Sequence, residues 1–163
     1  RDRFAKYSED AAVYQHNMQR PLRQFETAKS PVPEPVITMA KGKGQEKPKE
    51  RTKYGLVFFG SSAPAAREAL SALAADGIHL DRMRIRAFPF PETVSDFINA
   101  YDQIFLVEQN RDAQMRSLLV NECGIDPARF ISVLNYDGTP ITARFIIKAI
   151  SERLAVSKRE AAE

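Results

Sequence analysis

From Tyr54 onward the hydrophobic pattern falls into short apolar runs, each followed by a stretch of helical periodicity. Leu56-Val57-Phe58-Phe59 is continuously apolar, as a central strand covered on both faces requires. Ser61-Ser62 then caps a helix that reaches Ala75 and stops at Asp76-Gly77. The next run alternates: Met83, Ile85 and Ala87 face one way and Arg82, Arg84 and Arg86 the other, the pattern of a half-exposed edge strand. Pro89 and Pro91 bracket Phe90 and set up a short helix over residues 92 to 101, carrying Val94, Phe97 and Ile98. A third strand over residues 103 to 107 leads into a helix over 113 to 122. A fourth, over 130 to 134, turns at Tyr136-Asp137-Gly138 into a closing helix over 139 to 154. Strand and helix alternating through short connections require right-handed crossovers and a mostly parallel sheet. The predicted fold class is α/β, three-layered, with strand order 2-1-3-4 of the flavodoxin-like type. No internal repeat is present.

Ahead of this block the pattern changes. Ser8-Glu9-Asp10 offers a cap and first-turn acids, and Val13, Tyr14, Met18, Leu22 and Phe25 recur at helical spacing, predicting a helix over residues 9 to 28. Pro21 lies inside that helix and predicts a kink or a break into two helices. Pro31, Pro33 and Pro35 enforce an extended segment ending near Val36-Ile37. Residues 1 to 40 therefore form a helical and extended arm whose apolar stripe must lie on another surface. Residues 41 to 53 read as a flexible linker with a reach of roughly 40 Å when stretched and about 20 Å as coil. Residues 54 to 154 form the folded domain, and 155 to 163 a tail.

The junction over residues 107 to 119 carries the densest chemistry. The apolar run Ile104-Phe105-Leu106-Val107 breaks off into Glu108, Gln109, Asn110, Arg111 and Asp112, and a helix starts just beyond. This is a strand's carboxyl end feeding a helix, where open α/β sheets place functional groups. Glu108 is the acid close enough to the strand end to be partly buried, and work as a general base would need burial to raise its pKa. No histidine or cysteine stands in the cluster to complete a catalytic set. Loop orientation and subunit contact are the stronger reading for Glu108, Gln109, Asn110 and Arg111. Asp137 joins them from the turn at the same rim, and no residue is assigned a catalytic role. Gly60, Ser61 and Ser62 are anion-site candidates, because amides and hydroxyls between a strand and a helix can hold a phosphate or carboxylate. The segment through Ala65 nevertheless lacks the further glycines of a dinucleotide loop and the lysine of a P-loop, and helix capping accounts for the same residues. Arg82, Arg84 and Arg86 could grip an anionic cofactor such as the phosphates of coenzyme A, but charge that blunts a sheet edge explains them more simply.

Composition narrows the classes. With 163 residues, 44% hydrophobic and 28% charged, the chain has room for one core and an appendage. No apolar run approaches the roughly 18 to 20 residues of a membrane span. No secretory signal opens the chain, which starts at Arg1 without an initiating methionine, as expected of a piece of something longer. Cys123 is the only cysteine, so neither a disulfide framework nor a four-cysteine iron-sulfur or zinc site can be built. That fits a reducing, cytoplasmic compartment, with Cys123 as a small buried hydrophobe. His16 and His79 lie far apart, which argues against a histidine-based metal site. The pI of about 9.1 traces to one stretch. Lys41, Lys43, Lys47, Lys49, Arg51 and Lys53 face only Glu46 and Glu50, and the rest of the chain is slightly acidic. No aromatic is interleaved with these cations, so a solvated spacer is preferred to a nucleic-acid patch.

Several motifs then fall in a familiar order: Tyr7-Ser8-Glu9-Asp10, Asn17-Met18, Phe25-Glu26-Thr27-Ala28, Pro33-Glu34-Pro35-Val36, Gly60-Ser61, residues 107 to 119, and Ser132-Val133-Leu134-Asn135-Tyr136-Asp137-Gly138 with Thr142-Ala143. In these the chain resembles the carboxy-terminal part of the α subunit of 2-oxoglutarate:ferredoxin oxidoreductase, within the 2-oxoacid:ferredoxin oxidoreductase family. The resemblance implies an enzyme that converts 2-oxoglutarate to succinyl-coenzyme A, or runs in reverse to fix carbon dioxide, with thiamine diphosphate, magnesium, an iron-sulfur cluster and ferredoxin. It implies that residues 54 to 154 form a transketolase C-terminal-like domain and that the arm is the strap leaving a pyrimidine-binding domain. It implies as partners the remainder of the α subunit, a β subunit and a second αβ unit, with neither nucleic acid nor membrane. No cofactor is expected on this piece, which has no Gly-Asp-Gly thiamine motif. The chain departs from the family in its longer, more basic linker, in Pro21, and in Ala113 where glycine is more usual. The alternative from another class is a stand-alone flavodoxin-like module binding a phosphorylated ligand at residues 60 to 65.

Overall fold

Leu56, Val57, Phe105 and Leu106 have no solvent exposure, and this two-sided burial makes their strands central. The computed structural model describes residues 1–40 and 53–160. Its strands are β1 (Val36–Thr38), β2 (Tyr54–Phe59), β3 (Asp81–Ile85), β4 (Gln103–Glu108) and β5 (Phe130–Leu134). They form one sheet in the order β1-β3-β2-β4-β5, parallel except for β1, which runs antiparallel to β3. The helices are α1 (Ala11–Ala28), α2 (Ala63–Ala75), α3 (Glu92–Asn99), α4 (Gln114–Cys123) and α5 (Ala143–Glu160). On one face Leu56, Phe58, Phe105, Val107 and Val133 meet Ala66, Leu70 and Leu73 of α2 and Ile146 and Ile150 of α5. On the other, Val57, Met83, Ile104, Leu106 and Phe130 meet Val94, Phe97 and Ile98 of α3 and Leu119 of α4. Each such aliphatic side chain contributes about 1.5–3 kcal/mol through burial. Gly55 permits the close approach: a Cβ there would sit 2.8 Å from Ile104 Cδ1.

The three-layer α/β class and the order β3-β2-β4-β5 of the four parallel strands agree with the sequence reading. The edge does not. The extended segment after the prolines adds β1 to the sheet, with Val36 opposite Arg84 and Thr38 opposite Arg82, so β3 is an inner strand. The strap is fixed further by the buried carboxylate of Asp81, which accepts from Ala40 N at 2.6 Å and from Tyr101 Oη at 2.8 Å. Thr93 Oγ1 also donates to Glu34 Oε2 at 2.6 Å.

Pro21 neither ends nor divides α1, which is one helix over Ala11–Ala28. Its N-cap is Asp10, which accepts from Ala12 N and Val13 N. No residue of α1 is buried, so the carbonyl that Pro21 leaves without a helical partner can turn to water. Tyr14, Met18 and Leu22 are 65%, 53% and 68% exposed, so the arm's apolar stripe finds no cover among the described residues. The last turns of α1 are anchored, with the Phe25 ring 5.3 Å from that of Phe88.

Other boundaries shift for local reasons. Gly60–Ser62 form a 3₁₀ turn, and α2 starts at Ala63 without the serine cap expected of Ser61-Ser62. The closing helix starts at Ala143, where Thr142 Oγ1 accepts from Phe145 N at 3.3 Å. It continues to Glu160, so residues 155–160, expected as tail, are helical. The basic stretch over residues 41 to 52 lies outside the described residues.

Candidate functional site

Leaving β2, the chain crosses to β3 on one side while β4 lies on the other, so the carboxyl ends of β2 and β4 flank a topological switch point. Three connections converge there, at residues 60–62, 108–113 and 135–142. Gln109 ties them together: its Nε2 donates to Ser61 Oγ at 2.9 Å and its Oε1 accepts from Ile141 N at 3.2 Å. The Asn135 amide donates to the Glu108 carbonyl at 2.9 Å, and its buried side chain donates to the Thr139 carbonyl, also at 2.9 Å. The exposed Asp137 closes the turn by accepting from Thr139 N at 2.9 Å and Thr139 Oγ1 at 2.8 Å. These bonds, the backbone one first, hold its carboxyl below the ordinary value.

Glu108 has a different role from its neighbours. Ala113 precedes α4 in a left-handed conformation, φ 49°, and has no side-chain acceptor to cap the helix. Glu108 supplies that cap from the strand end: Oε2 accepts from Met115 N at 2.7 Å and Asn110 Nδ2 at 2.9 Å, and Oε1 from Arg116 N at 3.2 Å. Asn110 Oδ1 accepts from Gln114 N at 3.2 Å, so the first three amides of α4 are all met. A fully buried carboxylate thus lies against the positive end of the helix dipole. These bonds tie the end of β4, residue 110 and the start of α4 together. The Glu108 side chain has no exposed surface. Gln109 and Arg111 are exposed and Asn110 half-exposed, and Arg111 is paired with Asp112 at 2.7 Å.

A cleft of about 430 Å³ opens over the switch point, lined among others by Phe59, Ser61, Gln109, Asn110, Met115 and Leu118. Among the described residues, no charged side chain lines it. The anion-site candidates Gly60, Ser61 and Ser62 border this cleft. Ser62 is 2% exposed and its hydroxyl donates to the Phe59 carbonyl, Ser61 is engaged by Gln109, and the Glu108 carboxylate lies beneath. A phosphate would find a buried carboxylate and, among the described lining residues, no cation. Gly60 serves the turn itself, with φ +56°. The arginine trio also separates: Arg84 and Arg86 are exposed, Arg86 Nη1 reaches the Glu34 carbonyl at 3.5 Å, and Arg82 is half-buried on the α2 side of the sheet.

Sequence reasoning missed the Gln109 bridge, the buried Asn135 and the Asp81 anchor, because each bonds across 20 residues or more or across separate loops. Cys123 is half-buried rather than enclosed. Burial pushes its thiol up, Lys29 on the arm pulls it down and Glu122 pushes it up again. Among the described residues, no helix is long and apolar enough to cross a membrane.

No protein-family model matches the chain, and no curated protein matches it. Solved structures do. The 2-oxoglutarate:ferredoxin oxidoreductase from Magnetococcus marinus, solved with 2-oxoglutarate, coenzyme A and succinyl-CoA bound, superposes with a TM-score of 0.73 at 18% identity over 89% of this chain. This chain spans 24% of that one, about a quarter of its length. The alpha chain of a probable 2-oxoacid ferredoxin oxidoreductase from Thermoplasma acidophilum matches at 24% identity and a TM-score of 0.46, over 75% of this chain and 97% of that one. The fold is therefore shared with a segment of the Magnetococcus marinus 2-oxoglutarate:ferredoxin oxidoreductase.

Proposed function

We propose that this chain is the carboxy-terminal assembly domain of a 2-oxoacid:ferredoxin oxidoreductase α subunit and carries none of the chemistry itself. The observation that carries the reading is the superposition of 89% of the chain on the Magnetococcus marinus enzyme. It is supported by the motifs at residues 107 to 119 and 132 to 138, which build the switch-point rim. We read residues 1 to 40 as a strap from a preceding domain, 41 to 53 as a linker and 54 to 154 as the transketolase C-terminal-like domain. The parent enzyme would convert 2-oxoglutarate, coenzyme A and oxidised ferredoxin to succinyl-CoA, carbon dioxide and reduced ferredoxin, or run the reverse reaction. Thiamine diphosphate with magnesium and an iron-sulfur cluster would supply the decarboxylation and electron transfer from other parts of the assembly.

The residues at the switch point do not fit thiamine diphosphate. The carboxylate beneath the cleft is taken up by helix amides, and among the described residues that line the cleft there is no acid for magnesium and no cation to meet the diphosphate. One cysteine cannot hold a cluster. What the rim offers is a rigid, hydrogen-bonded polar surface. Gln109, Asn110, Arg111 and Asp137 present it outward, as a subunit contact needs. The uncovered stripe of Tyr14, Met18 and Leu22 fits burial against the remainder of the α subunit.

The test is direct. The purified chain, given thiamine diphosphate, magnesium, coenzyme A and a viologen acceptor, should show no reduction dependent on 2-oxoglutarate. Turnover by the isolated chain would overturn the reading. Calorimetry against flavin mononucleotide, coenzyme A and thiamine diphosphate should show no tight binding, whereas tight flavin binding would favour a stand-alone flavodoxin-like module.

A further inference from the structure

A second concavity lies at the opposite flank of the sheet, where the end of the strap meets α2 and β3. Met39 and Ala40 form one wall of a groove of about 360 Å³, Arg67 and Leu70 of α2 the other, and His79, Leu80 and Arg82 complete it. Arg67 and Leu70 are three residues apart and share a helix face. Leu70 and Leu80 are buried and give the groove an apolar base. The walls are held in place: Thr38 pairs with Arg82 in the sheet, and the Ala40 amide is fixed on the Asp81 carboxylate at 2.6 Å.

The charge here is one-sided. Arg67, His79 and Arg82 line the groove and, among the described residues, no acidic side chain does. Among the described residues these three have no ion pair or side-chain hydrogen bond. Asp81 is adjacent to Arg82 in sequence but points to the other face, where Tyr101 and Ala40 occupy it. Guanidinium groups present planar forks that match phosphate oxygens, and an imidazole adds another donor. A group with about two negative charges and three acceptor oxygens matches these donors better than a single carboxylate does. The volume falls within the roughly 300–1,000 Å³ of small-molecule sites.

We propose that this groove binds a small organic phosphate, a phosphomonoester on a short apolar body, with Arg67, His79 and Arg82 on the phosphate and Leu70 and Leu80 under the body. The proposal rests on the groove alone and stands whether or not the chain serves an oxidoreductase.

Phenyl phosphate is the probe, titrated into the ¹⁵N-labelled full chain with inorganic phosphate and benzoate as comparisons. Saturable shifts are expected at Arg67, His79 and Arg82, tighter for phenyl phosphate than for either comparison. The Arg67→Gln/Arg82→Gln variant should weaken binding by about tenfold or more, the effect of losing charged hydrogen bonds. Arg84→Gln removes an exposed charge from the same strand outside the groove and should leave affinity unchanged. If the double variant misfolds by circular dichroism, Arg67→Gln alone, on the exposed face of α2, is expected to weaken binding measurably. The proposal is overturned by non-saturable binding, by Arg84→Gln matching Arg82→Gln, by affinity indifferent to Arg67, or by an oligoglutamate peptide binding more tightly than phenyl phosphate. The last result would make the groove a protein contact.

Discussion

Replacing Glu108 probes how the switch-point rim is built, because one side chain there closes a helix from across a loop. Glu108→Ala strands the amides of Met115 and Arg116 and the side-chain amide of Asn110, all of which the carboxylate now accepts. A buried donor left without a partner costs about 1–3 kcal/mol, and losing a negative charge at a helix N-terminus costs about 0.3–1 kcal/mol more. Water entering the vacated space offsets part of this, leaving a net loss of about 3–5 kcal/mol. Glu108→Gln keeps the volume and one acceptor but turns an NH₂ toward a donor, for a loss of about 2 kcal/mol. Domains of this size are stable by about 5–15 kcal/mol, so either change is a large fraction of the total. Urea unfolding followed by far-UV circular dichroism gives the magnitude, and hydrogen exchange at Met115 and Arg116 gives the location. A loss below about 1 kcal/mol for Glu108→Ala, or unchanged exchange at those amides, would refute the capping role.

Three further outcomes follow from the same geometry. Gly55→Ala places a methyl 2.8 Å from Ile104 Cδ1 and close to Tyr101 and Phe97, so urea unfolding should show a loss of about 1–3 kcal/mol; an unchanged midpoint would contradict the packing. Ala113→Gly relieves a positive φ and should stabilise by up to about 1 kcal/mol, whereas destabilisation would mean that residue 113 is not left-handed. Asp137, more acidic folded than unfolded, contributes stability that is complete above its ordinary value of 3.8 and is lost as the pH falls toward the depressed folded value. An NMR titration should place its midpoint below 3.8, and Asp137→Asn should remove that part of the acid dependence.

The inner sheet was legible because its strands are written in side chains. Leu56 to Phe59 and Ile104 to Val107 are apolar without interruption, and Met83 and Ile85 alternate with arginines. β1 was not legible as a strand, because all three of its residues are exposed and it joins the sheet by backbone pairing alone. Pro21 misled for the complementary reason: a proline breaks a helix most severely where the freed carbonyl is buried, and α1 buries nothing. At the rim, the residue types were visible but their roles were not. Glu108 and Gln109 are neighbours of similar size and polarity, yet strand parity sends the first inward to cap α4 and leaves the second outside to bridge two loops. Ala113 held the best clue, since a helix start with no acceptor of its own must borrow one.

An antibody raised against this chain can capture the native protein from the cells that make it, and the captured material can be assayed for viologen reduction dependent on 2-oxoglutarate and coenzyme A. The account predicts activity that rises with the amount of chain captured, while the isolated chain gives none. Chain captured in quantity without that activity would contradict its place in a 2-oxoacid:ferredoxin oxidoreductase.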